Sequence, residues 1–299
     1  MQNPIFIVGL HRTGSSLLTN IFRSNPNILI FEEMHFLSPW RKDFRHIYKK
    51  YAKGNLSAES AKSLVELFFS KNKKHGMDTP FWKYFERNPG EKKLKDMLTS
   101  NLSNSNNSLE NIFKTIIEKT TFYRGYERCC VKFPMYISFA PQLLKWYSDS
   151  KIIHITRDPR AILVSKKNDP GGILRRYNWN PIVSFLLRRI MLFYVFIQFF
   201  WASKVHSRLK SQKNYFLVKY EELLNNPLFT IQKLCEFTNT KFDDRMSNPK
   251  RGQYSSITGE RKGGFDPNSA IRWKNEILPF ENKLMAYLTK SSMKRFDYQ

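Results

Sequence analysis

One short segment near the beginning of the chain, residues 4–16, constrains the fold more than any other. Its first part, Ile5–Val8, is an unbroken run of β-branched and aromatic residues, which is typical of a strand covered on both faces. Gly9 and Gly14 permit a tight turn after this strand, and two serines then begin a predicted helix. Because a helix N-terminus and a glycine-rich turn both direct backbone N–H groups outward, the segment predicts a phosphate-binding loop.

The loop departs from the Walker A pattern G-x-x-x-x-G-K-[ST] at one position. Here the pattern is G-x-x-x-x-G-S-S, with Ser15 in place of the lysine that reaches the β- and γ-phosphates of a nucleoside triphosphate. The basic residue lies earlier, at Arg12. This displacement argues against ATP or GTP hydrolysis and predicts a nucleotide with a single 5′-phosphate group in the loop.

A second apolar segment, Lys151–Thr156, predicts another buried strand, and it ends in the sequence Arg157-Asp-Pro-Arg160. In an open parallel sheet, ligands bind beside the carboxyl ends of the strands. We therefore expect Arg157, with Ser165 eight residues later, to hold a second phosphate through charge-assisted hydrogen bonds. The alternative is that Arg157 forms a surface ion pair with Asp158 or another neighbour.

The two motifs together resemble those of sulfotransferases that use 3′-phosphoadenosine 5′-phosphosulfate (PAPS). Arg12-Thr-Gly-Ser-Ser16 is similar to the family's 5′-phosphosulfate loop, and Arg157 with Ser165 is similar to its 3′-phosphate motif. The resemblance continues to about residue 275. It implies a three-layer α/β fold of the P-loop NTPase-like sulfotransferase type, with a central parallel sheet flanked by helices.

Two later segments extend the resemblance. Val218-Lys-Tyr-Glu-Glu-Leu223 is similar to the family's strand end whose tyrosine lies near adenine, and Arg261-Lys-Gly-Gly264 with Arg272-Trp-Lys-Asn275 is similar to its C-terminal loop over the 3′-phosphate. The resemblance implies PAPS as cofactor, 3′,5′-ADP as product and no metal. The implied cofactor contacts are His11, Arg12, Thr13, Gly14, Ser15, Ser16, Arg157, Ser165, Tyr220, Arg261, Lys262 and Gly263.

Sulfuryl transfer also requires a base for the acceptor hydroxyl and cations near the leaving phosphate oxygen. The predicted strand Ile28–Phe31 ends in the pair Glu32-Glu33, and in the tyrosylprotein-type branch of the family the second glutamate of such a pair is the base. The resemblance therefore implies Glu33 as base. It also implies Lys132, after a predicted strand at residues 128–131, and Arg12 as the catalytic cations.

The chain differs from the cytosolic small-molecule branch of the family, which has a catalytic histidine shortly after the equivalent lysine. Phe133-Pro-Met135 stands there instead, which favours the carboxylate as base. His11 and His154 are more simply interpreted as structural residues.

The length and composition are those of one large α/β domain. We expect a single domain over residues 1–299, with a helical acceptor-site insertion at about 35–125 that contains a Ser/Asn-rich loop at Thr99–Ser108. The 50 lysines and arginines against 25 acidic residues leave a net charge of +25, which favours anionic partners unless it reflects compositional bias. We expect a hydroxyl-bearing acceptor, for which an anionic glycan and a lipid-linked molecule are two candidates, and no nucleic acid.

The most apolar run of the chain is Ile190–Trp201, which basic residues flank on both sides. It is shorter than the roughly 20 residues that a spanning helix needs. It is either a buried core helix or part of a helix, residues 182–204, that rests on a membrane surface or receives a lipid-linked acceptor.

The three cysteines match neither a disulfide framework nor a metal site, and the first predicted strand begins without a preceding signal peptide. We therefore expect a cytoplasmic protein, with membrane association left open. The acceptor could be a glycan, a tyrosyl peptide, a lipid or a small alcohol. Two other functions remain: a P-loop-type nucleotide kinase, and a basic polyanion- or membrane-binding protein with a degenerate nucleotide site.

Overall fold

The structure is a computed structural model, and it describes residues 2–31, 57–69, 91–103, 108–134, 137–169, 172–177, 179–249, 253–254 and 261–298. The chain divides into two compact units. The larger unit comprises Ile5–Pro26 and Phe133–Gln299, and the smaller unit comprises Met1–Pro4 and Asn27–Lys132.

The described strands are β1 (Ile5–Gly9), β2 (Ile28–Phe31), β3 (Arg128–Pro134), β4 (Lys151–Thr156), β5 (Tyr215–Lys219), β6 (Gln253–Tyr254) and β7 (Arg261–Lys262). The described α-helices are α1 (Ser15–Arg23), α2 (Ala58–Phe69), α3 (Glu91–Ser103), α4 (Leu109–Tyr123), α5 (Ala140–Trp146), α6 (Pro159–Lys167), α7 (Ile173–Arg176), α8 (Pro181–Leu209), α9 (Tyr220–Asn225), α10 (Pro227–Thr238), α11 (Asn268–Ile271) and α12 (Pro279–Arg295).

In the larger unit, β4 lies between β1 and β5 and pairs with both in parallel. All five residues of β1 are buried, as expected for an apolar strand of a parallel sheet that is covered on both faces. Gly9 lies opposite Ile155, and Thr156 lies opposite Lys219, so the three strands end at the same edge. The segments that follow these strands, which carry both predicted phosphate motifs, therefore leave from one edge of the sheet.

The helices of the larger unit complete its core. The long helix α8 packs against α6 and α12, and α6 also contacts α12. The confirmed fold class is therefore α/β, with parallel strands flanked by helices.

In the smaller unit, β2 pairs in parallel with β3, and helices α2, α3 and α4 pack in succession. The prediction of a loop beginning at Thr99 was wrong, because residues 99–103 belong to α3. Leu94, Leu98 and Leu102 recur every four residues along this helix and are buried. This apolar face outweighs the weak helix propensity of the serines and asparagines. Residues 104–107 of the predicted loop lie outside the described residues.

A buried polar cluster contains His154, one of the two histidines that the sequence analysis interprets as structural residues. The Tyr215 hydroxyl oxygen lies 2.6 Å from His154 Nδ1 and 2.9 Å from His206 Nδ1. Burial, and then the neighbouring His206, lower the pKa of His154 to about 3, so its imidazole is neutral. One imidazole accepts from the hydroxyl while the other donates to it. The sequence interpretation of His154 as a structural residue agrees with these contacts.

Candidate functional site

The loop after β1 is held so closely by its neighbours that two of its positions require glycine. A Cβ atom at Gly9 would lie 2.4 Å from the carbonyl oxygen of Ile155 in β4. Gly14 has φ +96°, and a Cβ atom there would lie 2.2 Å from Cδ2 of Tyr220. The two glycines therefore let the loop pack against β4 on one side and against the Tyr220 ring on the other.

The loop leads directly into a helix whose first turn has no side-chain cap. Helix α1 has Gly14 as its N-cap, no side-chain cap and no acidic residue in its first turn. Thr13 uses its hydroxyl to donate to the Leu10 carbonyl at 2.8 Å, which closes the loop on itself. Ser15 is buried and Ser16 is exposed. The backbone N–H groups of this first helical turn form a positive end that favours an anion.

Arg12 joins the two predicted phosphate motifs. Its backbone has φ +73°, which costs an arginine about 1–2 kcal/mol. Its Nε donates to the Ser165 hydroxyl at 3.0 Å, and its Nη1 lies 4.0 Å from Oδ2 of Asp169. Arg12 and Ser165 are 153 residues apart in sequence. The structure therefore brings the loop after β1 and helix α6 to the same site.

Arg157 is the second guanidinium of the site. Its Nη1 donates to the Arg12 carbonyl at 3.3 Å and its Nη2 to the Ser269 carbonyl at 2.7 Å, and its guanidinium carbon lies 4.3 Å from the centre of the Tyr220 ring. Its Nε is buried and has no hydrogen-bond partner within the described part of the chain. A buried donor without an acceptor costs stability. The side chain is thus held in place by two backbone carbonyls and the Tyr220 ring.

The alternative of an ion pair between Arg157 and Asp158 does not match the structure. Asp158 instead accepts from Arg160, whose Nη2 lies 2.6 Å from Oδ2, and it caps α6 through the Arg160 backbone N–H at 2.8 Å. The Arg160 guanidinium in turn lies 4.6 Å from the centre of the Trp273 ring. Of the two arginines in the Arg157-Asp-Pro-Arg160 motif, the second has the structural role and the first faces the loop.

Behind the site, a half-buried carboxylate links the ends of β4 and β5. Glu221 Oε1 accepts from the Asp158 backbone N–H at 3.0 Å, and its Oε2 accepts from the Tyr298 hydroxyl at 2.8 Å. Burial raises the pKa of Glu221, and burial followed by this carboxylate raises that of Tyr298. These contacts hold the start of α9, and with it Tyr220, in position under Arg157.

Lys166 is a cation of the site that the sequence analysis missed. Burial, and then the positive charge of Arg12, lower its pKa to about 8, while Asp169 acts in the opposite direction. Its Nζ lies 4.7 Å from the centre of the Tyr194 ring. Its position directly after Ser165 in the sequence could have indicated that it lies at the site. With Arg12 and Arg157, Lys166 is a third cationic side chain of the described part of the site, where Asp169 lies beside Arg12.

The other predicted site residues stand as follows. Lys132 is buried in β3 of the smaller unit, and Glu33 lies outside the described residues. The backbones of Arg261 and Lys262 form β7, but their side chains are not among those described. Gly263 is exposed, with nothing within 4 Å of a Cβ atom placed there, and His11 is partly buried in the loop. The roles assigned to these residues remain predictions.

A metal site does not stand out in this structure. Within the described ranges there is no group of three or more histidine, cysteine, aspartate or glutamate side chains that could hold an ion. The donors that converge on the site are instead guanidinium, ammonium, hydroxyl and backbone N–H groups. Such a set matches an acceptor-only ligand such as a phosphate or sulfate group.

Comparison with known proteins agrees with the fold. A family model described as "Sulfotransferase family" matches residues 4–244. The sulfotransferase domain of the Synechococcus PCC 7002 olefin synthase is 19% identical, with a TM-score of 0.56, and the match covers 100% of this chain and 97% of that one. The sulfotransferase domain from the curacin biosynthetic pathway is also 19% identical, with a TM-score of 0.56 and coverage of 97% and 98%. A comparison with curated proteins found no significant match.

Proposed function

We propose that this chain, which belongs to the sulfotransferase family, transfers the sulfuryl group of PAPS to a hydroxyl group of an acceptor. The observation that carries the proposal is the convergence of Arg12, Ser165 and Arg157 at the carboxyl ends of β1 and β4. It is supported by the family membership and by the missing Walker A lysine at Ser15, which argues against a nucleotide kinase.

The residues present fit a nucleotide that carries two separate anionic groups. The loop from His11 to Ser16 and the N-terminus of α1 would hold the 5′-phosphosulfate, with Arg12 beside it. Arg157 and Ser165 would hold the 3′-phosphate through charge-assisted hydrogen bonds. Tyr220, already stacked on Arg157, would lie near the adenine, and residues 261–263 would cover the nucleotide.

When bound, PAPS supplies a sulfuryl group joined to a good phosphate leaving group. In the proposed reaction a bond forms between the acceptor oxygen and sulfur, and the bond between sulfur and the 5′-phosphate oxygen breaks. Arg12 and Lys132 would stabilise the negative charge left on that phosphate oxygen, and Glu33 would accept the proton of the acceptor hydroxyl. No metal is required by this scheme.

The acceptor is proposed only as a class. A carboxylate base suits a sugar hydroxyl, a tyrosyl peptide, a lipid or a small alcohol, and the net charge of +25 favours an anionic or lipid-linked acceptor. A cytoplasmic location is proposed with it.

The test of the donor site is calorimetric binding of 3′,5′-ADP in the presence of EDTA, compared with ATP and Mg²⁺. We expect metal-independent binding of 3′,5′-ADP, weakened by Arg157→Ala about 10- to 100-fold because charge-assisted hydrogen bonds are lost. Arg245→Ala, at an exposed arginine, is the matched control and should bind as wild type does. Preference for Mg-ATP would favour a nucleotide kinase. Binding of polyanions together with no binding of 3′,5′-ADP would favour a polyanion-binding protein. Either result would overturn the proposal.

The test of the base separates binding from chemistry. Glu33→Gln should bind 3′,5′-ADP as wild type does and lose transfer to any acceptor that the wild type accepts. Loss of nucleotide binding in this variant would instead give Glu33 a structural role.

A further inference from the structure

Helix α8 is apolar around its whole circumference, but the domain covers only one face of it. The covered face consists of side chains at helical spacing, Leu192, Val195, Phe199, Ala202 and His206, and the helix packs against α6 and α12. The opposite face carries large apolar side chains three or four residues apart, here called the α8 stripe. It comprises Ile182, Leu186, Ile190, Phe193, Ile197 and Trp201.

The α8 stripe is large and exposed. Its side chains are between 49% and 73% exposed, and at 1.5 Å per residue it extends for about 28 Å along the helix. Contiguous apolar surface of this size marks an interaction site in a folded protein. A tryptophan stands at each end of it, Trp179 at 77% and Trp201 at 62% exposed. Tryptophan, with an apolar ring and a polar N–H group, is enriched where a membrane meets water.

The chain segment that carries the α8 stripe contains only positively charged side chains. The chain from residue 170 to residue 220 contains nine lysines and arginines and no acidic residue. Lys204 and Arg208 follow Trp201 at the same helical spacing and are exposed, so they continue the stripe at one end. The exposed Arg175 and Arg176 of α7 precede its other end in the chain.

We propose that the α8 stripe docks the protein in the plane of an anionic lipid surface, with the basic residues at its two ends on the headgroups. An apolar face between cationic ends is the pattern of an interfacial helix, whose binding combines apolar burial with attraction to anionic lipid. This inference is independent of the proposed sulfuryl transfer.

A helix that crosses the bilayer fits the structure less well than one that lies in it. The described residues contain one helix, α8, that is long and apolar enough to span a membrane by length and composition. Spanning would pull Leu192, Val195 and Phe199 away from the domain core and carry Arg188 and Arg189 into the hydrocarbon. Arg189 instead lies over Phe185 and Phe280, 4.8 Å and 4.4 Å from the ring centres, at the side of the helix.

A second copy of the chain is also a poorer partner for this face. A two-fold pair of α8 helices would bring Lys204 and Arg208 of one copy toward Arg175 and Arg176 of the other. The segment from 170 to 220 has no acidic residue that could compensate these like charges.

The experiment is flotation of the full chain with vesicles of phosphatidylcholine containing 30% phosphatidylserine, and with vesicles of phosphatidylcholine alone. We expect binding to the anionic vesicles, reduced at least about tenfold by Ile190→Ser/Phe193→Ser/Ile197→Ser. The matched control is Leu228→Ser/Phe229→Ser, at two exposed apolar residues of α10, which should bind as wild type does. Because all five positions are exposed, circular dichroism should show both variants folded.

A charge variant separates the electrostatic contribution to membrane binding from the apolar one. Lys204→Gln/Arg208→Gln should lower affinity for the anionic vesicles about tenfold or more and leave binding to neutral vesicles unchanged. The proposal is overturned if the stripe variant binds as wild type does, or if wild type binds neither vesicle. It is also overturned if the wild type is a dimer that the stripe variant dissociates without any vesicle binding, or if the bound protein resists alkaline carbonate extraction, as a spanning helix would.

Discussion

Helix α6, which carries Ser165 into the site, is tied to α12 by a buried ion pair whose removal should cost measurable stability. Nζ of Lys167 lies 2.7 Å from Oε2 of Glu281, and the two side chains are only 9% and 4% exposed. The same carboxylate oxygen accepts from the Leu278 N–H at 3.4 Å, at the start of α12. Lys167→Met leaves the carboxylate buried without its counter-charge, so we expect the free energy of unfolding of the larger unit to fall by about 3–5 kcal/mol.

Glu281→Leu should cost a similar amount, because it leaves the Lys167 ammonium group buried and unpaired. The double variant Lys167→Met/Glu281→Leu leaves no buried charge, and it should lie within about 2 kcal/mol of wild type once the lost contact at the start of α12 is included. The two single changes are therefore expected to be strongly non-additive. The matched control is Arg245→Met, which removes an exposed ion pair of the same 2.7 Å length with Asp243 and should not shift the unfolding midpoint.

The assay is urea unfolding followed by tryptophan fluorescence, with the midpoint and the slope compared across the four proteins and the control. Calorimetric titration with 3′,5′-ADP then measures whether the nucleotide affinity changes when the contact between α6 and α12 is lost. A cost below about 1 kcal/mol for Lys167→Met, which is the usual range for exposed pairs, would refute the reasoning. Additive single changes would refute it as well.

Three further predictions concern the core and the site. Tyr215→Phe removes the hydroxyl shared by two buried histidines and should destabilise the fold by about 1–3 kcal/mol in urea unfolding. Gly14→Ala places a Cβ atom at a residue with φ +96° and against the Tyr220 ring, so it should weaken 3′,5′-ADP binding more than tenfold in calorimetry. The control is Gly125→Ala, where φ is +73° but the space is open, and this variant should bind 3′,5′-ADP as wild type does. Because the pKa of Lys166 is lowered to about 8, the ammonium group is lost as the pH rises through 8, so 3′,5′-ADP affinity should fall over that interval in wild type and stay flat in Lys166→Met.

The local features of the site could be predicted from sequence because they depend on neighbouring residues. A strand, a glycine turn and a helix N-terminus follow each other within residues 5–23, so their geometry is set by φ, ψ freedom and apolar pattern. The same holds for the strand that ends at Arg157. Since parallel strands end at one edge of a sheet, the two motifs were expected at the same edge once the fold class was inferred.

Contacts between distant segments carried no such local signal. Two features depend on which segments the fold brings together: the Ser269 carbonyl that accepts from Arg157, and the burial and nearby Arg12 that lower the pKa of Lys166. The Arg157-Asp-Pro-Arg160 motif likewise could not show which arginine pairs with the aspartate. The structure assigns Asp158 to Arg160, because this pairing also caps α6.

The sequence by itself determined the α/β class, the glycine turn between β1 and α1, and the pair of basic motifs, because each depends on residue types at short spacing. Tertiary structure alone decided which face of α8 is buried. An apolar run without an opposite polar face does not specify which side of a helix is covered. Packing against α6 and α12 buries one face and leaves the α8 stripe exposed, since only one side of a rigid helix can face the sheet and its flanking helices.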